Sequence, residues 1–137
     1  MSDGDEPLAD GAELLHRHVH PSWMVDGEPT SLAFRPSKKD EGRLSVARGS
    51  LATPEQAFLH HTSTLKLDAV GTWSFTVEEA SAAGLKSYAD PITTDPPDPA
   101  HAIVDFRGLS NTKQELAAKR LKRAADARGR SHPPAEG

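Results

Sequence analysis

A chain of 137 residues with no cysteine and 36% apolar residues has room for one domain, and it excludes disulfides, thiolate metal sites and a cysteine nucleophile. Its net charge of −4 conceals an asymmetry, because residues 1–13 carry five acids and no base, whereas residues 113–130 carry seven bases and two acids. The sequence has neither an apolar run near its start nor a stretch of about 18 apolar residues, so we expect a soluble, cytoplasmic protein without a membrane segment.

Turn signals and alternating side chains divide the first half of the chain into predicted strands. The acidic lead over residues 1–13 is expected to be disordered. Strands are predicted at residues 14–20, 30–35 and 43–48, where apolar and polar residues alternate. Between the first two strands, the sequence DGEP at residues 26–29 predicts a turn.

The second half of the chain mixes helices and strands. Thr53 and Pro54 suit the N-cap and the first turn of a helix that runs to about residue 65. Residues 69–77 form the strongest strand pattern, which places Trp73 in the core. The remaining predicted elements are a short helix begun by the capping pair Thr76 and Glu79, a stiff proline-rich loop over residues 89–99, a strand over residues 100–106, a helix over residues 111–128 and a disordered tail over residues 130–137.

This order of elements predicts a single α+β domain over residues 14–129. We expect a mixed or mainly antiparallel sheet of about five strands, with two to three helices on one side of it. A disordered lead contributes no contacts, so removal of residues 1–12 is expected to change the free energy of unfolding by less than about 0.5 kcal/mol.

Three histidines at alternate positions form the densest cluster of chemistry in the sequence. If residues 14–20 form a strand, His16, His18 and His20 share one face. They are candidate ligands of a divalent metal, although three alternate strand residues rarely converge on one ion, and no cofactor is predicted. The alternative is a half-exposed strand with the imidazoles outward and Leu15 and Val19 inward. The groups available to complete a metal site are His60, His61, His101, Asp26 and Asp105.

A small enzyme is the second functional hypothesis, with His18, His20, Arg35 and His101 as candidate catalytic residues. It requires His18 or His20 to meet His101, Arg35 or a carboxylate in a concave pocket. Arg35 also lies near Lys38 and Lys39, but no glycine-rich loop accompanies them, so a phosphate-binding loop is excluded and a charged connection is the preferred interpretation.

The basic face of the final helix supports the leading hypothesis, a non-enzymatic binding or accessory domain that acts through a protein partner. An acidic protein would contact this face, whereas nucleic acid binding through residues 113–130 is the third hypothesis. The sequence pI of about 5.9 is far below that of typical nucleic-acid-binding domains. The candidate partner-binding residues are Lys119, Arg120, Lys122 and Arg123.

The segment HPSWMVDGEPTSLAFRPSKKDEGRLSV at residues 20–46, together with AHAIVDF at residues 100–106, resembles a family of small uncharacterised bacterial proteins. The shared features are histidine-proline, AFRP, KDE, LSV and DF elements in the same order, over about 100 residues from His16 to the final helix. The resemblance implies a small, stand-alone bacterial protein, and it implies no activity.

Arg17 or His18, residues 62–64 and Glu78 or Glu79 follow one another along the chain as an early Arg or His, a central Ser/Thr segment and a late Glu. This order resembles the site of ADP-ribosyltransferases, in which the central segment is a strand. However, residues 62–64 fall at the end of a predicted helix and the glutamates fall in a capping box, so helix formation explains them better.

Overall fold

The computed structural model describes residues 6–36 and 42–132, and an antiparallel sheet of seven strands lies at the centre of these residues. The strands in chain order are β1 (Glu6–Pro7), β2 (Leu14–Val19), β3 (Met24–Val25), β4 (Glu28–Pro29), β5 (Arg43–Arg48), β6 (Gly71–Thr76), β7 (Lys86–Ala89), β8 (His101–Asp105) and β9 (Arg130–His132). The sheet has the order β1-β7-β8-β5-β2-β6-β9, and β3 and β4 form a separate hairpin. Asp26 and Gly27 form its turn with φ of 53° and 81°, as the sequence predicts.

Three α-helices occur in the described part of the chain, so the prediction of a single α+β domain is confirmed. Their bounds are Pro54–Leu59 for α1, Val77–Ala82 for α2 and Asn111–Arg128 for α3. Shorter helical turns are the 3₁₀ turns Pro21–Trp23 and Ser31–Phe34 and the π-helical turn His60–Thr64, which continues α1. Capping boxes begin α1 at Thr53 and α2 at Thr76, because each threonine hydroxyl accepts the backbone N–H three residues later.

One face of the sheet packs on α2 and α3 and contains the main hydrophobic core. Leu15 and Val19 of β2 point into it, as predicted, and Trp73 is only 5% exposed. Alanines let the long helix approach the sheet closely, and the helix ends before Gly129 at a φ of 87°. The residues that α3 buries are Ala117, Ala118, Leu121 and Ala125.

The opposite face of the sheet is covered by α1, so the helices lie on both sides rather than on one. His16 and His18 alternate with the core residues of β2 and therefore belong to this second face. The ring of Phe58 in α1 lies 6.4 Å from the His18 ring and 4.9 Å from the His132 ring, measured between centroids. His16, predicted to face outward, is 1% exposed, because a second layer of structure covers the histidine face.

The predicted strand at residues 30–35 is wrong. Ser31–Phe34 is a 3₁₀ turn that packs on α3, with backbone bonds from Ala33 to Thr30 and from Arg35 to Leu32. Leu32 and Phe34 are therefore not on one buried face, since Phe34 is buried and Leu32 is 58% exposed. Prolines at both ends of this segment remove donors that a strand would need.

Both ends of the chain extend further into the fold than the sequence predicts. β1 pairs with β7, and β9 pairs with β6, so residues 6–13 and 130–132 belong to the domain. Glu13 is buried, and its carboxylate accepts hydrogen bonds from Arg48 at 3.0 and 3.1 Å. The rest of the predicted lead and tail lies outside the described residues.

Removal of residues 1–12 is therefore expected to lower the free energy of unfolding by at least about 1 kcal/mol, at roughly that amount per lost buried hydrogen bond. The bonds lost include Leu8 N–H to Ser87 O and Glu78 N–H to Gly11 O, both 2.9 Å. Urea unfolding of this chain should be compared with a chain that lacks only residues 1–5, which keeps these contacts. Equal midpoints would show that the N-terminal pairing adds no stability.

Candidate functional site

His16 belongs to a chain of hydrogen bonds on the second face of the sheet. Its Nε2 lies 3.1 Å from the carbonyl of Ala52, which only accepts, so Nε2 carries the hydrogen. Its Nδ1 then accepts from the Ser74 hydroxyl at 2.8 Å, and Ser74 in turn accepts from Ser131 at 2.7 Å. Both ring nitrogens are thus engaged in joining β2 to the segment before α1 and to β6 and β9. This histidine supports the fold and is not available to a ligand.

His18 lies beside it, between the sheet and the helix that covers it. Its Nδ1 is 2.7 Å from the hydroxyl of Thr72, and its ring centroid is 4.5 Å from that of His61 in the π-helical turn. Burial, and next the nearby His61, lower the pKa of His18 from 6.5 to about 3. Burial also lowers the pKa of His61 and of His16. Near neutral pH these imidazoles are uncharged hydrogen-bonding groups.

A loop over residues 90–99 stands opposite α1 and carries two carboxylates to two further histidines. Two backbone hydrogen bonds of 2.9 Å between Ile92 and Asp98 close this loop. His101 Nδ1 lies 2.9 Å from the Asp90 carbonyl and 3.2 Å from the Asp90 carboxylate. His60 Nε2 lies 3.7 Å from Asp98 Oδ2, which is within ion-pair range but too long for a hydrogen bond.

The sheet, the helix and this loop enclose a cavity of about 460 Å³. Its wall is mainly apolar, and four of the histidines named above contribute to it. Such a combination of an apolar wall and a few polar groups is typical of small-molecule sites. The lining residues are Arg17, His18, Ser45, Val46, Ala47, Leu51, Ala52, Gln56, Ala57, His60, His61, Leu65, Leu67, Ile92, Pro97, Asp98, Pro99, Ala100 and His101.

The structure unites two of the four predicted catalytic candidates. His18 and His101 line the same cavity, together with the carboxylate of Asp98. His20 lies beyond the end of β2, where its ring accepts the Ser22 N–H at the start of a 3₁₀ turn. Arg35 donates to Asn111 at 3.2 Å and lines a different concavity beside α3. Lys38 and Lys39, its neighbours in sequence, lie outside the described residues.

The structure does not gather the three alternate histidines into a metal site. His16 has both nitrogens engaged, and His20 caps a helical turn. The two carboxylates considered as further ligands are also elsewhere, since Asp26 lies in the hairpin turn and Asp105 pairs with Arg107 at 2.9 Å. Among residues 6–36 and 42–132, no three His, Asp or Glu side chains are grouped closely enough to hold a metal ion.

The basic residues of α3 are partly neutralised within the chain. Lys119 lies 3.7 Å from Glu115, Lys122 contacts Asp126, and Arg120 donates to the carbonyl of Ala82 at 3.5 Å. Arg123 is on the same helix and adds to its positive charge. These contacts do not test recognition of an acidic protein or a nucleic acid by this helix, which stays a prediction.

Two of the three elements of the ADP-ribosyltransferase-like arrangement, residues 62–64 and Glu79, are used for helix formation, whereas Arg17 and His18 lie on β2. Thr62–Thr64 belong to the π-helical turn, where the Thr62 hydroxyl donates to the Phe58 carbonyl at 2.9 Å. Glu79 accepts the Thr76 N–H at 2.8 Å and pairs with Arg128 at 2.8 Å. The structure therefore provides a structural role for both elements.

Sequence reasoning missed Asp90 and Asp98 as members of the site. The proline-rich loop gave no periodic signal, so nothing in the sequence indicated that it folds back over the sheet. One signal was present in β6, where Thr72 and Ser74 alternate with aromatic residues. Polar residues at such positions are equally typical of a strand face that meets solvent, so this signal alone does not predict a covering layer.

In the part of the chain that the structure describes, every helix is too short or too polar to traverse a lipid bilayer. No protein-family model matches this chain, and neither a curated protein nor a solved structure is significantly similar to it. The functional conclusion therefore depends on the geometry of the cavity.

Proposed function

We propose that this protein binds a small, mainly apolar molecule in the cavity between the sheet, α1 and the loop over residues 90–99. The observation that carries the proposal is the cavity itself, whose volume of about 460 Å³ falls within the range of small-molecule sites. Its polar groups include His18 and His101, whose positions are set by hydrogen bonds to Thr72 and Asp90. A pre-formed wall of this kind binds a ligand without a large ordering cost.

Exposed leucines at the cavity support an apolar ligand. Leu51, Leu65 and Leu67 all line the cavity and are 54%, 38% and 50% exposed, respectively. Covering such side chains contributes about 25 cal/mol of favourable free energy for each Å² of apolar surface removed from water. A ligand that fills the cavity and reaches its rim would gain this free energy.

The proposal keeps a binding function but replaces the protein partner with a small molecule. The sequence analysis required of a small enzyme that His18 or His20 meet His101, Arg35 or a carboxylate in a concave pocket, and His18, His101 and the Asp98 carboxylate line this cavity. A domain that binds a protein partner instead requires scattered histidines and an exposed apolar or charged patch elsewhere. The meeting of His18, His101 and Asp98 favours the pocket.

The proposal is tested by screening a library of small neutral fragments against the ¹⁵N-labelled protein by NMR. We expect amide shifts to change around the cavity for several fragments. Ser45→Phe should abolish these changes, because Ser45 is an exposed strand residue that lines the cavity and a phenyl ring would occupy it.

Lys86→Phe is the matched control, since Lys86 is an exposed strand residue outside the cavity. It should leave fragment binding unchanged. Fragments that bind the Ser45→Phe protein as well as the original protein would show that the cavity is not their site, and the proposal would be wrong.

A further inference from the structure

The charged side chains of the cavity wall indicate which ligands it excludes. Besides the histidines, only Arg17 and Asp98 among the described lining residues are ionisable. Arg17 alternates with His16 and His18, so it leaves the sheet on the core side. There its guanidinium donates to the Ala33 carbonyl at 2.7 Å and lies 5.2 Å from the Trp23 ring centroid. Because Arg17 is directed away, the main charged group that a ligand meets is Asp98, the one carboxylate among the described lining residues.

His18 of the sheet and His61 of the π-helical turn offer little charge to balance an ion. Burial lowers the pKa of His18 to about 3 and lowers the pKa of His61. Arg17, His16 and His60 lower the pKa of His18 further, so His18 stays neutral near pH 7. The positive charge of Arg17 also lowers the pKa of both histidines, but its guanidinium is directed to the Ala33 carbonyl. An anion placed beside Asp98 meets that carboxylate first, and either type of ion would lose its hydration on entry.

One buried polar atom among the described wall residues lacks a hydrogen-bond partner. His60 Nε2 is buried and makes no hydrogen bond, although Asp98 Oδ2 is 3.7 Å away. Asp98 uses its other carboxylate oxygen, Oδ1, to accept the Ala100 N–H at 3.2 Å. Because Nε2 is closed to water in this structure, a small turn of the His60 ring has to accompany ligand binding. A hydroxyl oxygen at about 2.8 Å from both atoms then spans the gap, because it donates to the carboxylate and accepts from an imidazole N–H.

Building on the proposed small-molecule binding, we infer that the ligand is an uncharged, mainly apolar molecule whose hydroxyl group bridges His60 and Asp98. A carboxylate at this position is repelled by Asp98, and a hydrocarbon leaves His60 Nε2 unpaired. An ammonium pairs with Asp98, but it cannot accept a hydrogen from His60.

Four probes that share the naphthalene ring test the inference at pH 7: 2-naphthol, 2-naphthoate, 2-naphthylmethylammonium and naphthalene. Titration of the ¹⁵N-labelled protein by NMR gives each Kd and the location of binding. We expect 2-naphthol to bind at least about ten-fold more tightly than the other three, because a site built to hydrogen-bond a hydroxyl discriminates against analogues that lack it.

Two variants separate the roles of the bridging residues. His60→Leu should weaken 2-naphthol binding by about ten-fold and leave naphthalene binding unchanged, since only the hydroxyl uses the imidazole. Asp98→Asn removes the charge and should tighten 2-naphthoate binding several-fold. Asp26→Asn, in the hairpin turn outside the cavity, is the control and should change no Kd.

Either ion binding more tightly than 2-naphthol at the cavity would overturn the inference and support the proposed function. Equal binding of 2-naphthol and naphthalene, with no effect of His60→Leu, would also overturn the inference alone. Failure of all four probes to bind would contradict both the inference and the proposed function.

Discussion

Lowering the pH from 6.5 to 4 is expected to destabilise this protein strongly through its buried histidines. In the folded state the pKa of His18 is about 3, whereas an unfolded histidine titrates near 6.5. Between these values the unfolded chain binds a proton that the folded protein does not, so stability falls as the pH falls. For one such histidine, the free energy of unfolding falls by at most about 1.4 kcal/mol for each pH unit. The fall is smaller where water in the cavity screens the charge.

The onset of this loss distinguishes the histidines from the carboxylates. Burial gives His16 and His61 shifts in the same direction, so they add to the slope. Hydrogen bonds from Arg48 and Ser50 outweigh burial and lower the pKa of Glu13 below 4.5. A carboxyl with a lowered pKa stabilises the fold above its unfolded pKa, and that stability is lost only at more acidic pH. The decline that begins near pH 6.5 therefore belongs to the histidines.

Urea unfolding at several pH values between 4 and 8 measures this effect. His18→Gln, which keeps a side-chain amide near Thr72 but cannot titrate, should reduce the slope by about 1 kcal/mol per pH unit. His20→Gln removes a histidine outside the cavity and is the control. A His18→Gln protein with the full acid sensitivity would show that His18 is protonated in the folded state at moderate pH.

Trp73→Ala is expected to lower the free energy of unfolding by about 3–5 kcal/mol, the usual cost of removing a buried aromatic side chain. Trp73 lies on β6, which is the second strand from one edge of the sheet. Its side chain belongs to the hydrophobic core and is only 5% exposed. Alanine would leave a cavity between the sheet and the helices. A loss of this size is a large share of the stability of a domain with about 137 residues.

Thermal or urea unfolding followed by far-UV circular dichroism measures the change. Trp23→Ala is a matched control, because Trp23 packs against the core from its edge and is only half-buried. Its cost should be less than half that of Trp73→Ala. A Trp73→Ala protein with the original midpoint would contradict the packing of β6 in the core.

Local signals were sufficient to predict much of the fold. The capping pair Thr76 and Glu79, the alternation over residues 43–48 and the helix over residues 111–128 each depend on neighbours within one element, and each prediction is confirmed. The wrong prediction at Ser31–Phe34, and the strand β7, for which the sequence analysis predicts no element, have another cause. These segments are short, and contacts with α3 and with β8 determine their conformation. Sequence alone does not show such distant contacts.

The candidate site was predictable only in part for the same reason. Alternation placed His16 and His18 on one face of a strand, and the structure confirms this placement. Whether that face meets solvent or a second layer depends on where α1 and the proline-rich loop fold. Asp98 reaches His60 across 38 positions of sequence, a pairing that no local spacing indicates.

The two outermost strands of the sheet have a consequence for the behaviour of the protein at high concentration. β1 and β9 contain two and three residues, and β1 includes Pro7, which has no N–H to offer a neighbouring chain. Behind β9 lies the aromatic-rich strand GTWSFT, whose backbone would otherwise be open to strand addition by another molecule. The three residues Arg130–His132 thus cover the edge of this strand at Thr72 and Trp73 and oppose its pairing with another molecule.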